Sequence, residues 1–141
     1  MIHYIVVDDD ERRIKILHKL LQSNIQKEFG AAEGTICSEV NQARSEIKKR
    51  GPHFNLFALD MEFYDDIFGG GFKVLEALTP QQRRKVVAYS SHMEKMLHTG
   101  RSLSEELGVR FAIPLERAID MLQGEESLWK ACASVLKEGL G

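Results

Sequence analysis

The chain has 141 residues, a length that suits a single domain whose core needs neither disulfides nor a structural metal. Its 19 basic and 21 acidic residues give a formal net charge of -2, so no basic face for nucleic acid is expected. No apolar run approaches the ~20 residues that span a bilayer, and no basic region or cleavage site precedes the first strand. We therefore expect one cytoplasmic domain, residues 1–141, with no nucleic-acid partner and no membrane contact.

Short apolar runs alternate with amphipathic segments through the first half of the chain. A strand is predicted at Tyr4–Val7, followed by a helix at Arg12–Lys27 whose apolar residues recur on one face. A second strand, Thr35–Ser38, leads into a helix at Val40–Lys49. The third strand, Phe54–Leu59, is almost continuously apolar, which is typical of a strand covered on both faces.

The second half of the chain repeats this alternation. Strands are predicted at Val86–Tyr89 and Val109–Ile113. Helices are predicted at Phe72–Leu78, Met93–Leu107, Leu115–Gln123 and Ser127–Lys137. Gly124 is expected to separate the last two helices, which form a C-terminal extension after about residue 115. Trp129 and Leu128 are expected to pack the final helix against the sheet.

Repeated strand–helix units of this size predict an α/β fold. The expected architecture is a doubly wound, five-stranded parallel sheet with helices on both faces. Because crossovers between parallel strands are right-handed in nearly all proteins, few topologies need to be considered. The two cysteines, Cys37 and Cys132, have no metal-binding spacing and are expected to be unpaired.

Two predicted strands end on acidic residues. The first is followed by Asp8, Asp9, Asp10 and Glu11, and the third by Asp60. Ligands of open α/β sheets bind outside the carboxyl ends of the strands, so neighbouring strands would bring Asp8, Asp9 and Asp60 together. Such carboxylates repel by about 4 kcal/mol per pair at 4 Å and an effective dielectric of 20, so the cluster needs a cation. Oxygen ligands favour Mg²⁺, whereas Asp10 and Glu11 are expected only to cap the next helix.

The chain resembles the receiver domain of response regulators in two-component signalling, in particular the chemotaxis-type single-domain receiver. The motifs that carry the resemblance are Val6-Val7-Asp8-Asp9-Asp10-Glu11, Leu59-Asp60, Gly71 with Val74-Leu75-Glu76-Ala77-Leu78, Ser90-Ser91 and Pro114. They occur in the expected order over about residues 2–114. The resemblance implies the flavodoxin-like receiver fold with strand order 2-1-3-4-5.

The resemblance also implies a phosphoacceptor site. Asp60 would be both the phosphoacceptor and a metal ligand. Asp9 would ligate Mg²⁺ directly, Asp8 would hold it directly or through water, and the backbone carbonyl of Glu62 would complete the protein ligands. Ser90 matches the hydroxyl residue that bonds the phosphoryl group, and Ser91 matches the small residue beside it. These two serines complete the predicted catalytic set.

The sequence departs from the receiver pattern at the fifth strand. Receivers carry a lysine before the proline that follows this strand, and here the position holds Ile113. Phe111 is one place away from the position of the usual aromatic switch residue. The loop after Asp60 is long and adds the charges of Asp65 and Asp66. We expect that phosphorylation survives but is coupled more weakly to conformation, because one differential contact is missing.

Three functions are compatible with the sequence. The first is a stand-alone receiver that takes a phosphoryl group from a histidine kinase or histidine phosphotransfer protein and signals to a downstream protein target. It would be no enzyme beyond hydrolysing its own acyl phosphate. The second is a pseudo-receiver that binds proteins independently of phosphorylation. The third is a Mg²⁺-dependent phosphatase or nuclease, for which Asp8-x-Asp10 has the bare spacing. A homodimer stays open.

The first helix carries a run of basic residues that is expected to lie in solvent or to contact a phosphodonor. These residues are Arg12, Arg13, Lys15 and Lys19. The five histidines are scattered without the spacing of a metal site.

Overall fold

The computed structural model describes residues 1–62, 70–90, 108–114 and 121–140. The helix predicted at Met93–Leu107, the acidic pair Asp65 and Asp66, and Ser91 lie outside the described residues. Within the described ranges, no helix is long and apolar enough to cross a membrane.

The described residues form five strands and five helices. The strands are β1 (Ile2–Val7), β2 (Ala32–Cys37), β3 (Leu56–Asp60), β4 (Val86–Ser90) and β5 (Phe111–Pro114). The helices are α1 (Glu11–Glu28), α2 (Val40–Arg50), α3 (Gly70–Glu76), α4 (Pro80–Arg83) and α5 (Met121–Leu140), with a short 3-10 turn at Gly51–His53. The predicted alternation of strands and helices is confirmed from β1 to β4, whereas the helix predicted between β4 and β5 and residues 115–120 lie outside the described residues.

The five strands form one parallel sheet in the order β2-β1-β3-β4-β5. The predicted architecture and strand order are therefore confirmed. The chain leaves β1 for β2 on one side and then returns to β3 on the other side. This reversal is the topological switch point, and it lies at the carboxyl ends of β1 and β3.

Apolar residues fill a core layer on each face of the sheet. Along β1, Ile5 and Val7 point into one layer, and Tyr4 and Val6 point into the other, as the two-residue period of a strand requires. The first layer packs under α2 and α3, and the second packs under α1 and α5. This arrangement buries β1 and β3 on both sides, so polar side chains at their ends are cut off from solvent.

Helix α1 begins at a side-chain cap. The carboxylate of Asp10 accepts hydrogen bonds from the backbone N–H groups of Arg12 and Arg13, both at 3.0 Å. Such a cap stabilises a helix by about 1 kcal/mol. Because Asp10 is committed to this role, the spacing Asp8-x-Asp10 does not form a phosphatase-type acidic pair. The predicted capping role of Asp10 is confirmed.

Several predicted boundaries differ by one or two residues, and two predictions were wrong by more. Strand β2 starts three residues early, at Ala32, because it pairs with β1 residue for residue from Ile2 onward. Its Gly34 lies against the ring of Tyr4, where a Cβ atom would come within 2.3 Å of Cζ. The other error concerns the C-terminal helices. Helix α5 runs without a break through Gly124, because the glycine costs only about 1 kcal/mol in a helix that is held by packing.

Helix α5 packs against the sheet beside α1. Its buried residues are Leu128, Ala131, Cys132, Ala133, Val135 and Leu136. Trp129 is partly buried against the same layer. The predicted packing of the last helix is therefore confirmed, and both cysteines are free and buried as expected.

Candidate functional site

The acidic residues at the carboxyl ends of β1 and β3 converge. Val7 pairs with Leu59 in the sheet, so the next residues along, Asp8 and Asp60, are brought side by side. Both are fully buried, at 0% exposure, and Asp9 is partly exposed beside them. One carboxylate oxygen from each of Asp8, Asp9 and Asp60 lies within 4.8 Å of the other two. The predicted cluster is present at the switch point.

Asp8 is held by four hydrogen bonds. Its Oδ1 accepts from the backbone N–H of Asp10 at 2.8 Å and from Arg13 Nη2 at 3.2 Å. Its Oδ2 accepts from Arg13 Nε at 2.7 Å and from the hydroxyl of Tyr89 at 2.7 Å. Because a buried polar group is costly unless it is hydrogen-bonded, these four donors offset the cost of burying the Asp8 carboxyl group.

Asp60 is held less completely. Its Oδ1 accepts from the backbone N–H of Glu62 at 2.9 Å, and its Oδ2 accepts from Arg13 Nη2 at 2.9 Å. The first contact orients the carboxylate at the end of β3. The second joins Asp60 and Asp8 through a single guanidinium group.

Arg13 contradicts the sequence prediction. It was expected in a solvated face of α1, but only 18% of its side chain is exposed and its guanidinium lies among the carboxylates. The group also sits over the ring of Tyr89, 5.6 Å from the ring centroid. The rest of the predicted basic run, Arg12, Lys15 and Lys19, is exposed as predicted. Arg13 differs because it lies four residues before the buried Leu17, on the face of α1 that packs on the sheet, whereas Arg12 is exposed.

The site contains a tyrosine that sequence reasoning missed. Tyr89 pairs with Asp60 in the register of β3 and β4, and its hydroxyl reaches across to Asp8 on β1. In the sequence Tyr89 reads as one more apolar strand residue. The feature of the sequence that could have identified Tyr89 is its position. It lies one residue before the end of β4, the strand that ends beside Asp60.

Burial and like charges shift the pKa values in the cluster. Burial, followed by the negative charge of Asp8, raises the pKa of Asp60 to about 8, although Arg13 and the Glu62 N–H oppose this shift. Burial and the charges of Asp8 and Asp60 raise the pKa of Tyr89 well above its ordinary value, so its hydroxyl stays protonated and acts as a donor.

The same cluster keeps Arg13 charged. Burial alone would lower the pKa of Arg13, but the hydrogen bonds and charge of Asp8, with the charge of Asp60, outweigh burial and raise it. The guanidinium of Arg13 therefore stays positively charged beside the carboxylates.

Ser90 and Glu62 lie next to the carboxylates. Ser90 is buried at the end of β4, and its hydroxyl donates a long hydrogen bond of 3.4 Å to Glu62 Oε2. Glu62 follows β3 and places its N–H on Asp60. Gly71 at the start of α3 has no Cβ atom, which allows α3 to lie close to Met61 at the end of β3. A Cβ atom on residue 71 would lie 2.5 Å from the Cα of Met61.

The fifth strand brings no cation to this group. Ile113 pairs with Tyr89 and is partly buried in the layer under α1 and α5. Arg110 is directed elsewhere, with hydrogen bonds to Glu138 Oε1 at 2.7 Å and to the backbone carbonyl of Arg84 at 3.1 Å. Among the described residues, Arg13 is the cation that contacts the carboxylates.

The donor set suits a hard divalent cation. The three converging side chains offer only oxygen, which is the ligand type that Mg²⁺ prefers. Each carboxylate oxygen has two lone pairs, and each oxygen of Asp60 accepts one hydrogen bond from the donors described above. Each oxygen of Asp60 therefore keeps one lone pair for a metal ion.

No protein-family model and no curated protein sequence matches this chain. Solved structures do match. The non-phosphorylated HemR receiver domain from Leptospira biflexa superposes with a TM-score of 0.62 at 16% identity, covering 94% of each chain. The Mn²⁺-bound response regulator Rcp1 gives 0.59 at 22%, over 92% of this chain and 94% of that chain. The CheX-CheY-BeF3-Mg complex from Borrelia burgdorferi gives 0.62 at 18%, over 91% and 89%.

These neighbours are response regulators and receiver domains, so the resemblance seen in the sequence is confirmed for the fold. The similarity extends over more than nine-tenths of this chain.

Proposed function

We propose that this chain is a response regulator receiver of a two-component phosphorelay, and that Asp60 is its phosphoacceptor in a Mg²⁺-dependent reaction. The observation that carries the proposal is the convergence of Asp8, Asp9 and Asp60 at the switch point of a receiver-type sheet. Two structural neighbours, a Mn²⁺-bound response regulator and a CheX-CheY-BeF3-Mg complex, support a divalent cation as the ligand of this cluster.

The proposed reaction forms an acyl phosphate. An oxygen of the Asp60 carboxylate attacks phosphorus, the bond from phosphorus to the donor's histidine nitrogen breaks, and that nitrogen keeps the electron pair. The Glu62 N–H holds the carboxylate in one orientation during the attack. A bound Mg²⁺, held by Asp8, Asp9, Asp60 and the Glu62 carbonyl, would supply the positive charge that the transferring oxygens require.

The raised pKa of Asp60 gives a reason for dependence on a cation. Only the ionised carboxylate is a nucleophile, and a pKa of about 8 means that metal-free Asp60 retains its proton at neutral pH. A nearby cation favours the charged form and lowers the pKa. Ser90 is proposed to turn its hydroxyl from Glu62 to the phosphoryl group, and Ser91 to leave space for it.

Ile113 is proposed to make the receiver atypical. A side chain without charge or hydrogen-bonding groups cannot respond to the phosphoryl group, so one contact that distinguishes the two states is absent. Phosphorylation is proposed to act on a downstream protein target through the remaining contacts, with a histidine kinase or phosphotransfer protein as donor.

A second candidate is a pseudo-receiver that binds partners without phosphorylation. The observation in its favour is that Arg13 contacts both Asp8 and Asp60, so a side chain of the protein supplies positive charge to the cluster without a metal. Ile113 fits this role equally well.

Intact mass separates the two candidates. The protein is incubated with phosphoramidate and Mg²⁺, with Asp60→Asn alongside and with EDTA as a further control. One phosphoryl group on the parent, absent from the variant and without Mg²⁺, supports the phosphoacceptor. No adduct, under conditions that modify an ordinary receiver, supports the pseudo-receiver.

A further inference from the structure

Arg13 occupies the position of a counter-ion in the acidic cluster. It contacts both oxygens of Asp8 and Oδ2 of Asp60 at 2.7 to 3.2 Å. We propose that Arg13 is a resident cation that a divalent metal must displace, so that this side chain sets the metal affinity of the site. The inference rests on the proposed metal site and adds a regulatory residue to it.

The lone pairs of Asp8 carry the argument. An ionised carboxylate has about four lone-pair positions on its two oxygens. Four donors already fill them, namely Asp10 N–H and Arg13 Nη2 on Oδ1, and Arg13 Nε and the Tyr89 hydroxyl on Oδ2. Direct coordination by Asp8 therefore requires one donor to leave.

Arg13 is the donor best able to leave. The Asp10 N–H belongs to the backbone at the start of α1, and Tyr89 is fully buried in β4. Arg13 instead is partly exposed and has a long side chain, so it can turn into solvent by changing rotamers. The helix need not move, because Ile14 and Leu17 anchor α1 in the core.

Electrostatic repulsion also favours the displacement of Arg13 by a divalent cation. Arg13 and a divalent cation both draw their affinity from Asp8 and Asp60, and a cation between these carboxylates would lie within a few ångströms of the guanidinium. The two positive charges repel at that distance. Metal binding and the Arg13 ion pairs thus oppose each other, and by linkage each weakens the other by the same factor.

The matched pair of variants is Arg13→Met and Arg12→Met. Both remove one positive charge from the first turn of α1, but Arg12 is exposed, whereas Arg13 contacts the carboxylates. Isothermal titration calorimetry of the full chain with MgCl₂ is expected to give at least tenfold tighter binding for Arg13→Met than for the parent. Arg12→Met is expected to stay within about threefold, the effect of a screened surface charge.

A second measurement uses the parent protein and does not depend on a variant's folding. The ¹⁵N–¹H signal of Arg13 Nε, which is held in an ion pair, should move to the position of a solvent-exposed arginine when Mg²⁺ is added. An unchanged signal at saturating Mg²⁺ would overturn the inference.

The outcomes separate the inference from the proposed function. Equal Mg²⁺ affinity in parent, Arg12→Met and Arg13→Met would overturn the role of Arg13 and leave the metal site standing. Weaker binding by a folded Arg13→Met would also overturn it. If neither the parent nor Arg13→Met binds Mg²⁺ or Mn²⁺, the proposed Mg²⁺-dependent function fails and the inference falls with it.

Discussion

Replacing Asp60 with Asn should flatten the pH dependence of folding in the metal-free protein. Burial and the charge of Asp8 raise the pKa of Asp60 from 3.8 to about 8. The folded state therefore keeps a proton that the unfolded chain releases near pH 4. The stabilisation that this proton gives is complete below pH 4 and is lost as the pH rises through 8.

The size of the effect follows from one proton. Between pH 5 and 7 the folded and unfolded states differ by up to one bound proton at Asp60, so the free energy of unfolding falls by up to about 1.4 kcal/mol per pH unit. Over those two units the loss approaches about 2.7 kcal/mol. Asn cannot titrate, and its amide resembles the protonated acid in shape and in offering one donor and one acceptor side. Relative to that of the parent, the free energy of unfolding of the variant should therefore rise by up to about 2.7 kcal/mol between pH 5 and pH 7.

Urea unfolding in EDTA measures this directly. The single tryptophan, Trp129, packs partly against the core layer, so its fluorescence reports unfolding. Because the two proteins differ only at position 60, pH effects that are common to both cancel in the difference between them. Saturating Mg²⁺ should reduce the slope of the parent, because a bound cation favours the ionised carboxylate. Parallel curves for parent and variant between pH 5 and 7 would refute the raised pKa of Asp60.

Two further substitutions test the supports of the site. Tyr89→Phe removes the buried hydroxyl that donates to Asp8 at 2.7 Å, and urea denaturation should show a loss of about 1 to 3 kcal/mol, whereas an unchanged midpoint would mean that solvent replaces this donor. Gly71→Ala places a methyl group 2.5 Å from the Cα of Met61, so calorimetry should show a destabilisation of about 1 to 3 kcal/mol. Its control is Gly139→Ala in α5, where nothing lies within 4 Å and a small gain of up to about 1 kcal/mol is expected; equal effects at both glycines would contradict the role assigned to Gly71.

The sheet and its acidic cluster could be predicted because each depends on a regular pattern. Apolar runs of four to six residues marked the strands, and their abrupt ends marked Asp8 and Asp60. Parallel strands deliver their carboxyl ends to one edge whatever the details of packing. The predicted neighbours β1 and β3 then brought the two carboxylates together without any further information.

The positions of Arg13 and Tyr89 in the site could not be predicted from such patterns. Arg13 lies in a run of basic residues, and its inward direction depends on the distance between the start of α1 and the buried ends of β1 and β3. Tyr89 meets Asp8 only across an intervening strand, a relation that no local spacing encodes. The helix break predicted at Gly124 was wrong for the opposite reason. Here a local helix-breaking signal was outweighed by the packing of α5.

The place of α5 in the chain has a consequence for synthesis on the ribosome. Residues 1–60 contain three neighbouring strands and the apolar face of α1, yet the partner that completes the layer over that face is made only at residues 121–140. A nascent chain therefore carries this half-covered apolar surface until translation has passed all five strands. Such surface is where incompletely folded chains aggregate or engage chaperones. The apolar layer over α1 would thus be completed only after α5 has been translated.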